Sequence, residues 1–125
     1  MQIKFKIFFL SAALVMHAVS GLFAQDRPPK PKINTASFDI TTGYLHLDWN
    51  PVTSTPIDYY IIYSIDLSTF PVSGTKIDSV PASQTSYVDS LPGDTPKIYS
   101  VTAMDMNGTQ SLLSGDYHRA PSAGL

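Results

Sequence analysis

Two polar side chains, His46 and Asp48, have a spacing that could bind a metal ion. They lie at i and i+2 in the segment YLHLDW, so on a β-strand both would point to the same face. Imidazole and carboxylate groups are common metal ligands, but a protein site needs several of them converging. No third ligand is evident, and the only other histidine after residue 24 is His118. We therefore predict a solvated strand face, with no metal and no other cofactor.

Groups for covalent or acid–base catalysis are not brought together by the sequence either. Serines are numerous, but there is no G-x-S-x-G motif and no grouping of serine, histidine and aspartate. All ten acidic residues are aspartates, and a glycoside-hydrolysing pair would need a cleft for which so small a chain has little room. The segment 105–108, Asp-Met-Asn-Gly, lacks the further ligands of a calcium loop and fits a hairpin turn. The sequence thus predicts no enzyme activity.

The first 24 residues have the order of a secretory signal peptide. Lys4 and Lys6 form a positive region, a mostly apolar run follows over 7–16, and small residues precede position 25. We predict cleavage after Ala24, with Ser20 as the second choice, and therefore secretion to the periplasm or the extracellular space. An uncleaved membrane anchor is the alternative, although the apolar run is short for a span.

The part of the chain after the signal peptide fits one small domain. A chain of about 100 residues buries somewhat over 60% of its unfolded surface on folding, and without cysteine its core depends on packing alone. After residue 24 the chain has six basic residues and ten aspartates, and the basic residues form no cluster. This composition disfavours nucleic acid and anionic membranes as partners. The predicted organisation is a signal peptide at 1–24, a proline-rich leader at 25–32, a domain at 33–119 and a tail at 120–125.

The leader, QDRPPKPK, holds three prolines in eight residues and is incompatible with a helix. We predict that it is an extended spacer between the cleavage site and the first strand. A ligand for a proline-recognition domain is the alternative.

The domain itself consists of short segments with period-2 alternation, separated by turn residues. In 44–49, for example, Leu45, Leu47 and Trp49 share one face. No segment has helical periodicity, so the pattern predicts an antiparallel sandwich or a small barrel. The predicted strands are 33–40, 44–49, 57–65, 75–80, 86–91, 97–104 and 110–118.

The third of these segments, IDYYIIYSI at 57–65, is apolar on both faces. If Tyr60 and Ile62 point into the core, Ile61, Tyr63 and Ile65 point outward. An apolar and aromatic stripe on a sheet face can bind a partner, so these three residues are the candidate interaction face. The alternative is that neighbouring side chains and the loop at 68–74 cover the stripe.

Three segments, taken together, resemble the fibronectin type III family. LDWNPV at 47–52 resembles its second-strand tryptophan pattern, IDYYIIYS at 57–64 its third strand, and TSYVDSLPGDTPKIYSVTAMDMNG at 85–108 its Leu-Pro-Gly run into a Val-x-Ala strand and hairpin. The resemblance spans about 33–119 and implies an all-β, immunoglobulin-like sandwich of about seven antiparallel strands. In one departure, the tyrosine that closes a corner in the family is Lys97 here, and the nearest tyrosine is Tyr99.

The resemblance leaves several functions open. Domains of this family act as spacers, as adhesion modules and as accessory domains of secreted hydrolases, and the fold does not choose among these roles. The integrin-binding Arg-Gly-Asp of some members does not occur here. We predict an exported, non-catalytic interaction or structural module that contacts a protein or a surface. The alternative is a carbohydrate- or polymer-binding accessory module of an extracellular system.

Overall fold

Alternating β-branched and aromatic residues form seven strands joined by turns. They were traced in a computed structural model that describes residues 26–90, 92, 97–113 and 115–119, so the predicted signal peptide and C-terminal tail lie outside the described residues. No helix long and apolar enough to cross a membrane occurs in the described part. The strands are β1 (Ile33–Asp39), β2 (Tyr44–Trp49), β3 (Ile57–Asp66), β4 (Ser73–Pro81), β5 (Ser86–Asp89), β6 (Ile98–Asp105) and β7 (His118–Arg119).

The strands form two antiparallel sheets. One has three strands in the order β1-β2-β5, and the other has four in the order β4-β3-β6-β7. The β1–β2 turn depends on Gly43, whose φ of 74° lies in the region that glycine adopts without steric cost. The predicted all-β antiparallel sandwich is therefore confirmed.

The core lies between the two sheets and is built from the inward-facing side of each alternating strand. Trp49 is 2% exposed and meets the ring of Tyr60 edge-on, with ring centroids 5.6 Å apart. Such an aromatic pair adds stability beyond the area that it buries. The prediction that Trp49 is a core residue is confirmed. The other buried core residues are Ile33, Leu45, Leu47, Ile62, Val80, Tyr99, Val101 and Ala103.

The last strand differs from the prediction of one continuous strand over 110–118. Gln110 forms an isolated bridge with Met104, and β7 proper pairs only at its two residues, His118 and Arg119. Between them the chain turns through positive φ angles at Gly115 (85°) and Asp116 (46°). In place of continuous strand pairing, Ser111 bonds to the N–H and carbonyl of Ala103, and Lys30 of the leader bonds to the Val101 carbonyl.

The corner at the start of β6 is closed by a polar contact between the sheets. The Tyr99 hydroxyl donates to Asp89 Oδ2 on β5 at 2.6 Å, and Lys97 Nζ lies 3.2 Å from the same oxygen. Burial, reinforced by the Asp89 carboxylate, raises the pKa of Tyr99, so the hydroxyl remains a donor. Tyr99 thus links the two sheets at this end, while the position of the family's corner tyrosine holds Lys97.

Candidate functional site

The candidate interaction face on β3 points away from the core but is largely covered. Tyr60 and Ile62 belong to the core, while Ile61 and Ile65 lie on the opposite side and are only 5% and 7% exposed. Tyr63 is half-buried. Ile61 and Ile65 therefore lie on the side away from Tyr60 and Ile62, but they are buried and do not form an exposed apolar stripe.

The cover over this face comes from residues after the last hairpin. A Cβ built on Gly74 would lie 3.0 Å from Leu113 Cδ2, 3.1 Å from Ile65 Cδ1 and 3.2 Å from Tyr63 Cδ1, so these three side chains converge over the glycine. Gln110 adds a polar contact, because its Nε2 donates to the Tyr63 hydroxyl at 2.9 Å and to Thr102 Oγ1 at 2.8 Å. The outer face of the four-stranded sheet therefore carries a second packed layer.

The leader supplies the rest of that layer. Lys30 Nζ donates to Ser100 Oγ, to the Val101 carbonyl at 2.9 Å and to the Leu112 carbonyl at 3.3 Å. Burial lowers the pKa of Lys30 to about 8, against the opposing effect of the Asp116 carboxylate. Pro31 is fully buried. The described leader residues form neither helix nor strand, and they pack on the sandwich, so the leader is not a free spacer.

His46 and Asp48 lie on the outer face of the three-stranded sheet, as the alternation predicts. His46 is exposed, and Asp48 accepts a hydrogen bond from the Thr35 hydroxyl on β1. The other histidine, His118, lies in the other sheet, where its Nε2 is 3.3 Å from Asp116 Oδ1. Within the described ranges, no three histidine or acidic side chains are grouped so that they could hold a metal ion.

The Asp-Met-Asn-Gly segment forms a tight hairpin turn at the end of β6, next to the Met104–Gln110 bridge. Asp105 Oδ1 accepts hydrogen bonds from the backbone N–H groups of Asn107, at 2.9 Å, and Thr109, at 2.8 Å. Gly108 has the positive φ, 82°, that the turn requires. The carboxylate oxygen that a calcium ion would need is thus bonded to the hairpin backbone, which supports the turn interpretation.

Exposed apolar side chains concentrate at one end of the sandwich. The Trp49–Tyr60 contact places the end of β2 beside the start of β3, so the β1–β2 turn of one sheet and the β3–β4 loop of the other both lie at the opposite end of the sandwich. Those two connections present Ile40, 88% exposed, Leu67, 47% exposed, and Phe70, which is fully exposed. We call these three residues the apolar end. Sequence reasoning missed it, although a phenylalanine within the turn-rich segment 67–72 was a visible signal.

Two aspartates fix the turns that carry the apolar end. Asp39 Oδ1 accepts a hydrogen bond from the Thr41 N–H at 2.9 Å, and Asp66 Oδ1 accepts from the Ser68 N–H at 2.9 Å and hydroxyl at 2.6 Å. The Thr41 N–H lowers the pKa of Asp39, and the Ser68 hydroxyl lowers that of Asp66. Both carboxylates are therefore ionised at neutral pH and accept these hydrogen bonds. The turns that carry Ile40 and Leu67 are ordered as a result.

A shallow groove lies at the other end, between the leader and the β2–β3 loop. It has a volume of about 220 Å³ and is lined by residues that include Pro29, Pro31 and Lys32 on one side and Pro51 and Val52 on the other. No aromatic side chain lines it. Stacking on a sugar ring needs an aromatic face, so this groove does not offer that platform.

Comparison with known proteins finds solved structures of similar fold. No protein-family model matches the chain, and no curated protein matches it by sequence. A solved Fn3-like protein from Clostridium thermocellum superposes with a TM-score of 0.61 at 23% identity, over 77% of this chain and 94% of that one. Pectate lyase Pel3 from Pectobacterium carotovorum superposes with a TM-score of 0.52 at 14% identity, over 74% of this chain and 27% of the lyase.

These similarities agree with the all-β fold described above. Both identities are low, so they bear on the fold and not on the activity. The matched part is about a quarter of the lyase but nearly all of the Fn3-like protein. The chain therefore has the fold of an immunoglobulin-like sandwich of the fibronectin type III kind.

Proposed function

We propose that this protein is an exported, non-catalytic interaction module that makes contact with a protein partner through its apolar end. The observation that carries the proposal is the full exposure of Phe70, accompanied by Leu67 on the same loop and Ile40 on the turn at the same end of the other sheet. Aromatic anchors contribute much of the binding energy of protein interfaces. Exposed apolar residues that cluster on one part of a surface mark interaction sites more often than scattered ones do.

Because Ile61 and Ile65 are buried, the binding site that we propose is the apolar end and not the outer face of β3. A buried side chain can join an interface only after the chain that covers it moves, and such a movement costs stability. Phe70 needs no rearrangement to reach a partner. Contact through a loop tip also leaves both sheets intact, as expected for a module that presents a surface on a stable scaffold.

The test is capture of partners from envelope and culture fractions by the tagged domain 25–125. The double variant Leu67→Ser with Phe70→Ser should keep its melting temperature, because neither side chain fills the core, and should lose captured proteins. The matched control is Met106→Ser, which removes an exposed apolar side chain from the hairpin at the opposite end. Equal capture by the double variant and the unmodified domain would remove the apolar end as the binding site.

Export is tested separately. We propose cleavage after Ala24, so N-terminal mass spectrometry of secreted or periplasmic material should find Gln25 first. Recovery of intact Met1 in a membrane pellet would support the uncleaved anchor instead.

A polymer-binding accessory module is the second candidate function. It is favoured because about a quarter of a protein described as a pectate lyase has a similar fold. Sedimentation of the domain with insoluble pectin and cellulose distinguishes the two candidates. Depletion from the supernatant that is reversed by soluble polymer supports the second, whereas protein capture without depletion supports the first.

A further inference from the structure

The three asparagines of the chain differ in the residues that follow them. Asn107 begins the triplet Asn-Gly-Thr at 107–109, which is an acceptor sequence for N-linked glycosylation. Asn34 has an alanine two positions later, and Asn50 is followed by proline, which the acceptor sequence excludes at its middle position. The chain therefore contains one acceptor sequence, and it lies after the predicted signal peptide.

The same asparagines also differ in the hydrogen bonds of their side chains. Asn34 Nδ2 donates to Asn50 Oδ1 at 2.7 Å, so these two amides bond to each other. Asn107 is exposed, and its backbone N–H donates to Asp105 Oδ1, but its side-chain amide has no hydrogen-bond partner among the described residues. The asparagine in the acceptor sequence is thus the one whose amide nitrogen is open to a modifying enzyme.

The hairpin that carries Asn107 is held together without the side chains of the acceptor sequence. The Asp105 N–H donates to the Thr109 carbonyl at 3.0 Å, and the Gly108 N–H donates to the Asp105 carbonyl at 3.2 Å. The Thr109 N–H donates to Asp105 Oδ1 at 2.8 Å. In the described part of the chain the Thr109 hydroxyl has no hydrogen-bond partner. The turn therefore needs neither the amide of Asn107 nor the hydroxyl of Thr109.

We propose that Asn107 is a glycosylation site and that the exported protein carries an N-linked glycan on this hairpin. The modification depends on the export proposed above, because acceptor sequences of this kind are used in secreted proteins. The co-substrate is a sugar linked through diphosphate to a lipid. Asn107 Nδ2 forms a bond to C1 of the sugar, the C1–O bond breaks with its electrons leaving on the diphosphate, and the nitrogen loses one proton. The enzyme recognises the Thr109 hydroxyl as part of the acceptor sequence.

The surroundings of the hairpin have room for a bulky, hydrated group. No heavy atom beyond the neighbouring residues lies within 4 Å of a Cβ built on Gly108, so the tip faces open space. Met106, next to Asn107, is 66% exposed, and a glycan would shield this apolar side chain from water. Asp105 pairs with Ile57 at the start of β3, so the hairpin lies at the end of the sandwich opposite Phe70. A glycan there leaves the apolar end free to bind.

Mass spectrometry of the natural product tests the proposal. The full chain, tagged at its C-terminus, is produced in the organism that encodes it and purified from envelope and culture fractions. Trypsin should release the peptide 98–119, in which Asn107 is the only asparagine, and we expect its mass to include a glycan that fragmentation assigns to Asn107. Chain that begins at Gln25 with Asn107 unmodified, or converted to aspartate without sugar, would overturn the glycan alone. Chain that keeps Met1 and carries no sugar would overturn export and glycan together.

Variants of the acceptor sequence separate recognition from folding. Thr109→Ala should lose the glycan although Asn107 is still present, whereas Thr109→Ser retains a hydroxyl and should keep the glycan. Circular dichroism melting should show that both variants fold, because the hairpin uses only backbone groups of Thr109. Asn107→Gln should lose the glycan, and Asn34→Gln, the matched change at another exposed asparagine, should keep it. A glycan that survives Asn107→Gln or Thr109→Ala would overturn the proposal.

Discussion

The outer faces of the two sheets have opposite character. On the three-stranded sheet the face is polar and solvated, with exposed His46 and the Thr35–Asp48 hydrogen bond. On the four-stranded sheet the face is dry, with Ile61 and Thr102 buried. The first sheet meets water directly, whereas the second is covered by the leader and by the segment after the hairpin.

The difference shows what a two-faced apolar strand means. β2 alternates strictly, so one of its faces can remain in water, while β3 is apolar on both faces and needs cover on each. The cover comes from the two ends of the described chain, Lys30 on one side and Leu113 on the other. An apolar outward face can therefore indicate internal packing by distant segments as well as a binding surface.

The largest effect should come from truncation on the covered face. We expect Ile61→Ala to lower the free energy of unfolding by about 2–4 kcal/mol, because it leaves a cavity in a packed layer. Val88→Ala, on the solvated outer face and partly exposed, is the matched change and should cost less than about 1 kcal/mol. Urea unfolding measures both. Similar small costs for the two variants would mean that the two faces do not differ in packing.

A medium effect should follow from overpacking the same layer. Gly74→Ala adds a methyl group within 3.0–3.2 Å of three side-chain carbons, so Leu113, Ile65 or Tyr63 must shift. We expect a cost of about 1–3 kcal/mol. Gly43→Ala has free space around its Cβ but a positive φ. Its cost therefore reports backbone strain alone, whereas that of Gly74→Ala reports crowding. If Gly74→Ala is neutral by thermal melting, the layer is looser than described.

The fold could be predicted from the sequence because local signals agree with one another. The alternation of β2, the turn residues and the Asn-Gly hairpin specify strands and their order, and Trp49 marks the core. The cover of the four-stranded sheet could not be predicted. Lys30 contacts residues 70 and more positions away, and nothing in the pattern of a proline-rich leader indicates which carbonyl a lysine will reach.

The apolar end was missed for a different reason. Period-2 reasoning assigns faces to strands, but a loop residue such as Phe70 has no period from which exposure can be derived. Its exposure follows from the path of the 67–72 loop alone. Strand faces were therefore assigned correctly, and the most exposed aromatic residue was not identified.

The pH dependence of stability tests the contribution of the leader to the covered face. Lys30 has a folded-state pKa of about 8 against 10.5 for a free lysine. Between those values the unfolded chain binds more protons than the folded chain, so the free energy of unfolding should rise from pH 8 toward pH 10. Lys30→Met should flatten this rise, because it removes the titrating group while keeping the apolar stem.

The measurement is the urea midpoint at pH 7, 8, 9 and 10 for both proteins. Above pH 10 the raised pKa of Tyr99 acts in the opposite direction, since the folded chain then retains a proton that the unfolded chain loses. The comparison is therefore confined to pH 8–10. Lys76→Met, at an exposed position of β4, serves as the control. An identical rise in unmodified protein and Lys30→Met would show that Lys30 is not buried under these conditions.

The smallest effect is expected on the solvated face. The double change His46→Ala and Asp48→Ala removes the two polar groups whose spacing first suggested a metal site, and it should change the free energy of unfolding by no more than about 1 kcal/mol, as is usual for surface positions. What is lost is the hydrogen bond between Thr35 and Asp48, whose partners can bond to water instead. A metal ion that binds the folded state would raise the melting temperature by mass action. We expect no such rise when zinc, calcium or magnesium is added to the unmodified protein. A metal-dependent rise that the double variant abolishes would establish a metal site on this face, and the face would then not be merely a solvated surface.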